Sequence, residues 1–375
     1  MIVSVERIQL TLTSAASDNQ PLTLGQTIAN CVPFYSVKGV TGESFADINI
    51  NDFVEVTFSG SSVYATRTGT VGTMVVDVYV VEFDPSFVKV QQYSLDIPSD
   101  TSNTQAITAV SATTAAFLIY TYLATDVTDD KNDGLTKVKF NSTSQVQVDR
   151  GAAGGTIEGT LYVVEALGAG PDFSVQHYEL TVGNPEYTTQ VVSPSVTLAL
   201  SFIMGSHLTS AGDDSAEQAS IKAWLSSVAE LRIERISSTP ASTCTAACQV
   251  VSLDSDADNT VQHGEFSFIA QDPSENYASL TTIDVTRAIA IVQPFPTGGS
   301  GSGAGTNNWA ESYVGTYLSG TNTIYGERFA DYGATCTARW SVIEWKEAAA
   351  GAAVGSLILD GAVLSSLVLE GFVVR

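Results

Sequence analysis

Val5-Glu6-Arg7-Ile8-Gln9-Leu10-Thr11-Leu12 returns three times along the chain: as Val90-Gln91-Gln92-Tyr93-Ser94-Leu95-Asp96-Ile97, as Val175-Gln176-His177-Tyr178-Glu179-Leu180-Thr181-Val182, and as Val261-Gln262-His263-Gly264-Glu265-Phe266-Ser267-Phe268. Successive copies are offset by 85, 85 and 86 residues. A second landmark follows each opening: VYVVEF at 78–83, LYVVEA at 161–166, CQVVSL at 248–253 and WSVIEW at 340–345. Ahead of each ending stands an arginine: Arg67, Arg150, Arg235 and Arg328. Landmarks in one order at one period are the mark of a chain built from stacked units. They predict four units, at 1–88, 89–174, 175–260 and 261–350, and a remainder at 351–375.

Within a copy the apolar period is two. Ile8, Leu10 and Leu12 alternate with Gln9, Thr11 and Thr13, and Tyr93, Leu95 and Ile97 do the same in the second copy. Such alternation reads as strands with one buried face, and polar turn residues divide the runs. The expected fold is all-β: four tandem antiparallel β-sandwich repeats of six to eight short strands each, with a C-terminal strand extension. Ala219, Trp224, Leu225, Val228 and Leu231 have helical spacing. The repeat register nonetheless aligns Trp224-Leu225 with Tyr317-Leu318 and predicts a strand there, with room for a short helix before Trp224.

Gly355–Leu359 restarts the repeat, but too few residues follow to complete a fifth unit. Leu357, Leu359, Leu364, Leu367, Leu369 and Phe372 of this stretch need burial, either on the fourth unit or as an arm that adds strands to a neighbouring chain.

The composition narrows the function. The 375 residues carry 16 Lys+Arg against 40 Asp+Glu, a formal charge of −24, with 44% hydrophobic residues. So acidic a surface repels phosphate backbones and anionic lipid headgroups, which argues against nucleic-acid and membrane partners. The opening residues lack a basic segment followed by an apolar run, and no apolar stretch has the length of a membrane span. The expectation is a chain made in the cytoplasm and kept in solution.

Motifs for chemistry are few. Neither a G-x-S-x-G elbow nor a P-loop occurs. His177 and His263 occupy one repeat position, which reads as strand polarity rather than a catalytic base. Asp213–Asp214 reads as a turn. Cys31, Cys244, Cys248 and Cys336 are too few for a disulfide scaffold and read as buried thiols. Asp254, Asp256, Asp258 and Glu265 reproduce positions one, three, five and twelve of a calcium loop, with Asn259 at position six, so calcium is the one cofactor worth testing. The recurring arginines are expected to pair with the recurring glutamates: Arg67 with Glu82, Arg150 with Glu165 and Arg328 with Glu344. The third copy keeps Arg235 but has Ser252 for Glu.

Units that open on a V-Q strand and close on a V-V-E-F-like strand, with Phe58-Ser-Gly60, Leu225-Ser-Ser227 and Leu318-Ser-Gly320 ahead of their arginines, resemble repeats in virion proteins of tailed bacteriophages. The resemblance covers roughly residues 4–348. It implies a non-enzymatic structural part on the exterior of a particle: a capsid decoration, a head or collar fibre, or a tail appendage. It also implies partners among other virion proteins and a homo-oligomer, with a trimer the common state of such appendages. No active-site residue carries over. The alternative is a host-surface glycan-binding adhesin, for which Trp309, Tyr313 and Tyr317 are the aromatic candidates.

Overall fold

The alternating segments all become strands, and nothing longer than a 3-10 turn interrupts them among the named elements. The structure, a computed structural model, describes residues 1–13, 16–41, 53–69, 72–125, 134–168, 172–183, 187–210, 221–235, 243–255, 259–268, 275–292, 313–328, 336–345, 357–359 and 362–364.

Twenty-four strands fall into four consecutive sets of six. The first set is β1 (Ile2–Leu12), β2 (Ser17–Pro21), β3 (Cys31–Thr41), β4 (Glu55–Ser59), β5 (Ser62–Thr66) and β6 (Thr73–Phe83). The second is β7 (Val88–Ser94), β8 (Ser102–Ala106), β9 (Ala116–Thr125), β10 (Thr136–Ser142), β11 (Gln145–Arg150) and β12 (Thr156–Ala166). The third is β13 (Phe173–Val182), β14 (Tyr187–Val191), β15 (Ser201–Thr209), β16 (Ile221–Ser227), β17 (Glu230–Arg235) and β18 (Cys244–Leu253). The fourth is β19 (Thr260–Phe268), β20 (Glu275–Ser279), β21 (Ala288–Val292), β22 (Gly315–Leu318), β23 (Thr323–Glu327) and β24 (Cys336–Glu344). A backbone hairpin of β25 (Leu357–Leu359) and β26 (Ala362–Leu364) follows, with Leu357 opposite Leu364.

Each set builds the same pair of antiparallel sheets. The sixth strand lies between the first and third, and the fifth lies between the second and fourth. The segment around Trp224 with helical spacing is strand β16, so the repeat register outweighs the periodicity. The Phe-Ser-Gly and Leu-Ser-Gly motifs lie at the turn from fourth to fifth strand. Gly60 and Gly320 take positive φ there, +59° and +88°, a conformation that side chains with a Cβ rarely adopt.

The sixth strand explains the long apolar run that closes each copy. Met74, Val76, Val78 and Val80 of β6 point into the sandwich core of the first unit. Tyr79, Val81 and Phe83 point the other way, into a second core. In β12 Leu161 and Val163 face the sandwich, while Tyr162, Val164 and Ala166 face the second core. A strand buried on both faces loses the polar half of its alternation.

That second core is shared by all four units. It collects Val5, Val32 and Val81 from the first, Phe117 and Val164 from the second, Val175, Phe202 and Val251 from the third, and Val261, Ile289 and Ile343 from the fourth. Aromatic rings seal it: Phe34 meets Phe117 at 6.3 Å and Trp345 at 5.9 Å, and Phe117 meets Phe173 at 5.3 Å between centroids. The three-stranded sheets that contain the sixth strands therefore turn their outer faces towards one common interior.

The contacts between units run in a closed cycle. A hydroxyl six residues into the third strand bonds the middle of the fourth strand of the unit before it. Thr121 Oγ1 donates to Val56 O at 2.9 Å, Ser206 Oγ accepts from Val138 N at 2.7 Å, and Ser36 Oγ accepts from Thr316 N at 2.9 Å. The last of these joins the fourth unit to the first. Lys38 Nζ to Glu327 Oε2 at 2.6 Å and the Arg7 guanidinium 4.3 Å from the Tyr317 ring centre complete that closing seam.

Candidate functional site

The three repeated polar landmarks share one task, which is to hold loops. The acidic or amide residue after the opening valine secures the connection from second to third strand. Glu6 accepts directly from Thr23 N, and Gln262 from Thr281 N at 2.8 Å. In the middle units a tyrosine hydroxyl intervenes. Thr108 N donates to Tyr93 Oη, which donates to Gln91; Ser193 N donates to Tyr178 Oη, which donates to Gln176.

The recurring glutamates accept from the backbone just ahead of the third strand. Glu82 takes Thr27 N at 2.9 Å, Glu165 takes Ser111 N at 2.5 Å and Glu344 takes Asp284 N at 3.0 Å. Where the third unit has Ser252, its hydroxyl meets Ser201 Oγ at 2.9 Å.

The recurring arginines are all buried, and those of the first two units donate to carbonyls. Arg67 Nη2 bonds Leu12 O, Thr13 O and Gly72 O, and Arg150 bonds Asp100 O and Gly155 O. These bonds correct the expected ion pairs Arg67–Glu82 and Arg150–Glu165, and the place of Arg328, beside Phe268 at the Cys336 end of β24, corrects Arg328–Glu344. Arg67 binds where β6 begins, whereas Glu82 sits near its end, opposite Ser4 and Cys31. Strand geometry separates those ends by about 30 Å. The equivalent β12 separates Gly155 from Glu165. Arg328, wholly buried, has its guanidinium 5.2 Å from the Phe268 ring centre, while Glu344 pairs with Arg287 at 3.2 Å.

The histidines are braces between units rather than surface polarity. His177 Nε2 donates to Thr113 O and Ala116 O in the second unit, at 2.8 and 3.1 Å. His263 Nε2 donates to Leu198 O in the third unit at 3.0 Å, and Nδ1 accepts from Ser341 Oγ at 2.9 Å. Burial pushes both imidazoles below their ordinary value, against the raising effect of the carbonyls. Both rings are therefore neutral at pH 7.

The calcium loop is only partly within view. Asp256 and Asp258 lie outside the described residues. Asp254 Oδ1 accepts from Asn259 Nδ2 at 2.5 Å, while Glu265 lies 3.0 Å from Arg339 Nε. Among the described residues no group of three or more His, Cys, Asp or Glu side chains converges as a metal site. Cys31, Cys244 and Cys248 are buried thiols; burial raises Cys31 and Cys248 to about 12, so neither is a thiolate at neutral pH.

Of the aromatic candidates for sugar stacking, Trp309 lies outside the described residues. Tyr313 packs against the cores of the first two units. Tyr317 is covered by Arg7 and by Tyr325, whose ring is nearly parallel at 5.3 Å. Tyr277, opposite Tyr325 in the sheet and 68% exposed, was missed because its repeat equivalents are not aromatic. Leu357, Leu359 and Leu364 lie in the β25–β26 hairpin, and Leu367, Leu369 and Phe372 lie outside the described residues.

One concavity stands at the seam between the third and fourth units, a cleft of about 120 Å³ lined in part by Trp224, Leu225, His263, Gly264, Arg339 and Trp340. Its origin is a change of side-chain size. At the seam between the first and second units Phe58 stands edge-on to Tyr162, and at the next Phe140 stands edge-on to His177. Leu225 takes their place here and fills less. Gly264 and Trp340 face each other across β19 and β24, where the other units pair Tyr93 with Leu161 and Tyr178 with Cys248. A Cβ at Gly264 would come within 2.5 Å of Trp340 Cε2, so this indole requires glycine.

No family model and no curated protein matches the chain. Among solved structures, dimeric latent PorU from Porphyromonas gingivalis aligns with 89% of this chain and 31% of its own, at 9% identity and a TM-score of 0.16. A likeness of that size carries no argument about fold or function.

Proposed function

We propose that this chain is a non-enzymatic structural protein of a tailed-phage virion exterior, acting through contacts with other proteins of the particle. The observation that supports this best is the use made of the repeated polar residues. Glutamate, arginine, glutamine and histidine, the side chains from which a catalytic set would be drawn, are engaged in holding loops and neighbouring units. Protein surface is then what such a molecule offers. The repeat resemblance supplies the virion setting, and the net charge of −24 suits an exterior position better than one facing packaged DNA.

On this reading residues 351–375 form an assembly arm. Light scattering on the purified chain, with and without residues 352–375, is expected to give an oligomer that falls to monomer on truncation. A monomer in both forms would remove the arm. Gold-labelled antibody on intact particles tests the setting: label on the outside of the particle is expected, and label only in the particle-free lysate would overturn it.

A glycan-binding role is the second reading, favoured by the exposed ring of Tyr277 beside Tyr325 and Tyr317. The stacking of Tyr317 on Tyr325 covers the ring faces that a sugar would use and weakens it. Glycan-array binding lost on Tyr277→Ala would favour the adhesin.

A further inference from the structure

The cleft between the third and fourth units has the chemistry of a small-ligand site. Its walls are largely apolar, and Trp340, only 5% exposed, carries an indole N–H with no acceptor among the described residues. A buried donor of that kind is costly unless something bonds it. Trp340 and Gly264 both line the cleft, and Cε2, the ring atom bonded to Nε1, is among the indole atoms that lie against Gly264.

Arg339 adds a charge at the same wall. Its Nε faces Glu265 at 3.0 Å and its guanidinium lies 4.9 Å from the centre of the Trp224 ring. Lys222 and Arg232 also lie against Trp224, at 5.5 and 5.1 Å. Among the described residues two carboxylates pair with these three cations: Glu234, 3.5 Å from Lys222 and 2.8 Å from Arg232, and Glu265 on Arg339. In a chain of net charge −24 this is, among the described residues, a local excess of positive charge beside an apolar hollow. His263 adds no further donor, because Leu198 O and Ser341 Oγ occupy both its ring nitrogens.

We infer that this cleft binds a compact carboxylate with an apolar body, its oxygens accepting from Trp340 Nε1 and Arg339 and its body lying against Leu225 and Trp224. At about 120 Å³ the cleft is smaller than the roughly 150 Å³ cavity that holds benzene, so a single small ring is the largest body it takes. Two charge-assisted bonds in a half-open cleft correspond to weak binding, in the millimolar range.

The test is a titration of the full-length chain with sodium benzoate, followed by the indole N–H resonances in a 15N-labelled sample, with Trp340 assigned from its loss in Trp340→Phe. The Trp340 resonance is expected to move downfield and saturate, and neutral benzamide to bind more weakly. Arg339→Gln is expected to weaken benzoate about tenfold and to bring it level with benzamide. Leu225→Phe, which restores the residue type of the second unit, is expected to fill the cleft and abolish the shift while leaving the remaining spectrum folded. No saturable shift, a shift untouched by Arg339→Gln and Leu225→Phe, or an indole proton that exchanges magnetisation with water alone would each overturn the site.

Discussion

Arg67 and Glu82 recur at a fixed distance in sequence, and residue type alone makes them look like partners. The strand between them keeps them apart. Arg67 satisfies three carbonyl groups where β6 begins, and Glu82 satisfies a backbone N–H near its end. Replacing Arg67 with Gln is expected to destabilise the fold by about 2–3 kcal/mol through the carbonyls it leaves, and Glu82→Gln by about 1 kcal/mol. In a double-mutant cycle followed by urea unfolding, the two costs are expected to add within about 0.5 kcal/mol. A coupling well above that would restore the ion pair. The recurrence of both residues was legible; their partners were not, because backbone carbonyls and amides leave no mark in a sequence.

At the scale of elements, the closing runs carried more information than their role as punctuation. Val80 and Val81 are adjacent and both wholly buried, one in the sandwich of its own unit and the other in the shared interior. Val→Ala at either site is therefore expected to cost about 2 kcal/mol in unfolding experiments. A near-neutral Val81→Ala would contradict the shared core. The opening strands, exposed on part of one face, showed clean alternation and were read as they fold. At Trp224 and Leu225 the helical spacing and the repeat register pointed different ways, and the register was right: both residues lie in β16, because apolar positions in two adjacent strands imitate a helix stripe.

The seams between units should also respond to acid. His177 and His263 titrate below their ordinary value in the fold, so the unfolded chain takes up protons first as pH falls. Their contribution to stability is complete above about pH 6.5 and is lost as pH drops from there towards the depressed folded values. Asp77 and Glu55, raised mainly by burial, act in the opposite sense at lower pH, where they protonate more readily in the fold. Urea midpoints measured from pH 7.5 down to pH 5 should fall, and His177→Gln with His263→Gln should flatten the slope; Gln92 already occupies this position in the second unit. An unchanged slope would show that the histidines do not brace the seams.

For the whole molecule, the repeat in sequence left the arrangement of units open between a rod and a folded-back assembly. The structure closes them into a cycle, with the fourth unit seated on the first. The reason lies in the two-sided sixth strands: a rod would leave Tyr79, Val81, Tyr162, Val164 and Val251 in water, and the shared interior buries them. Neither the closure nor the cleft could be read from the sequence, because both depend on residues that meet only after the cycle forms. Lys38 and Glu327 are 289 positions apart and in direct contact. A zero-length carbodiimide cross-link applied to a mixture of 15N-labelled and unlabelled chains, followed by peptide mass spectrometry, reads that contact directly. The expected product joins Lys38 to Glu327 within one chain, with both peptides carrying the same label. Absence of that product, or its appearance only between labelled and unlabelled copies, would contradict the closed cycle.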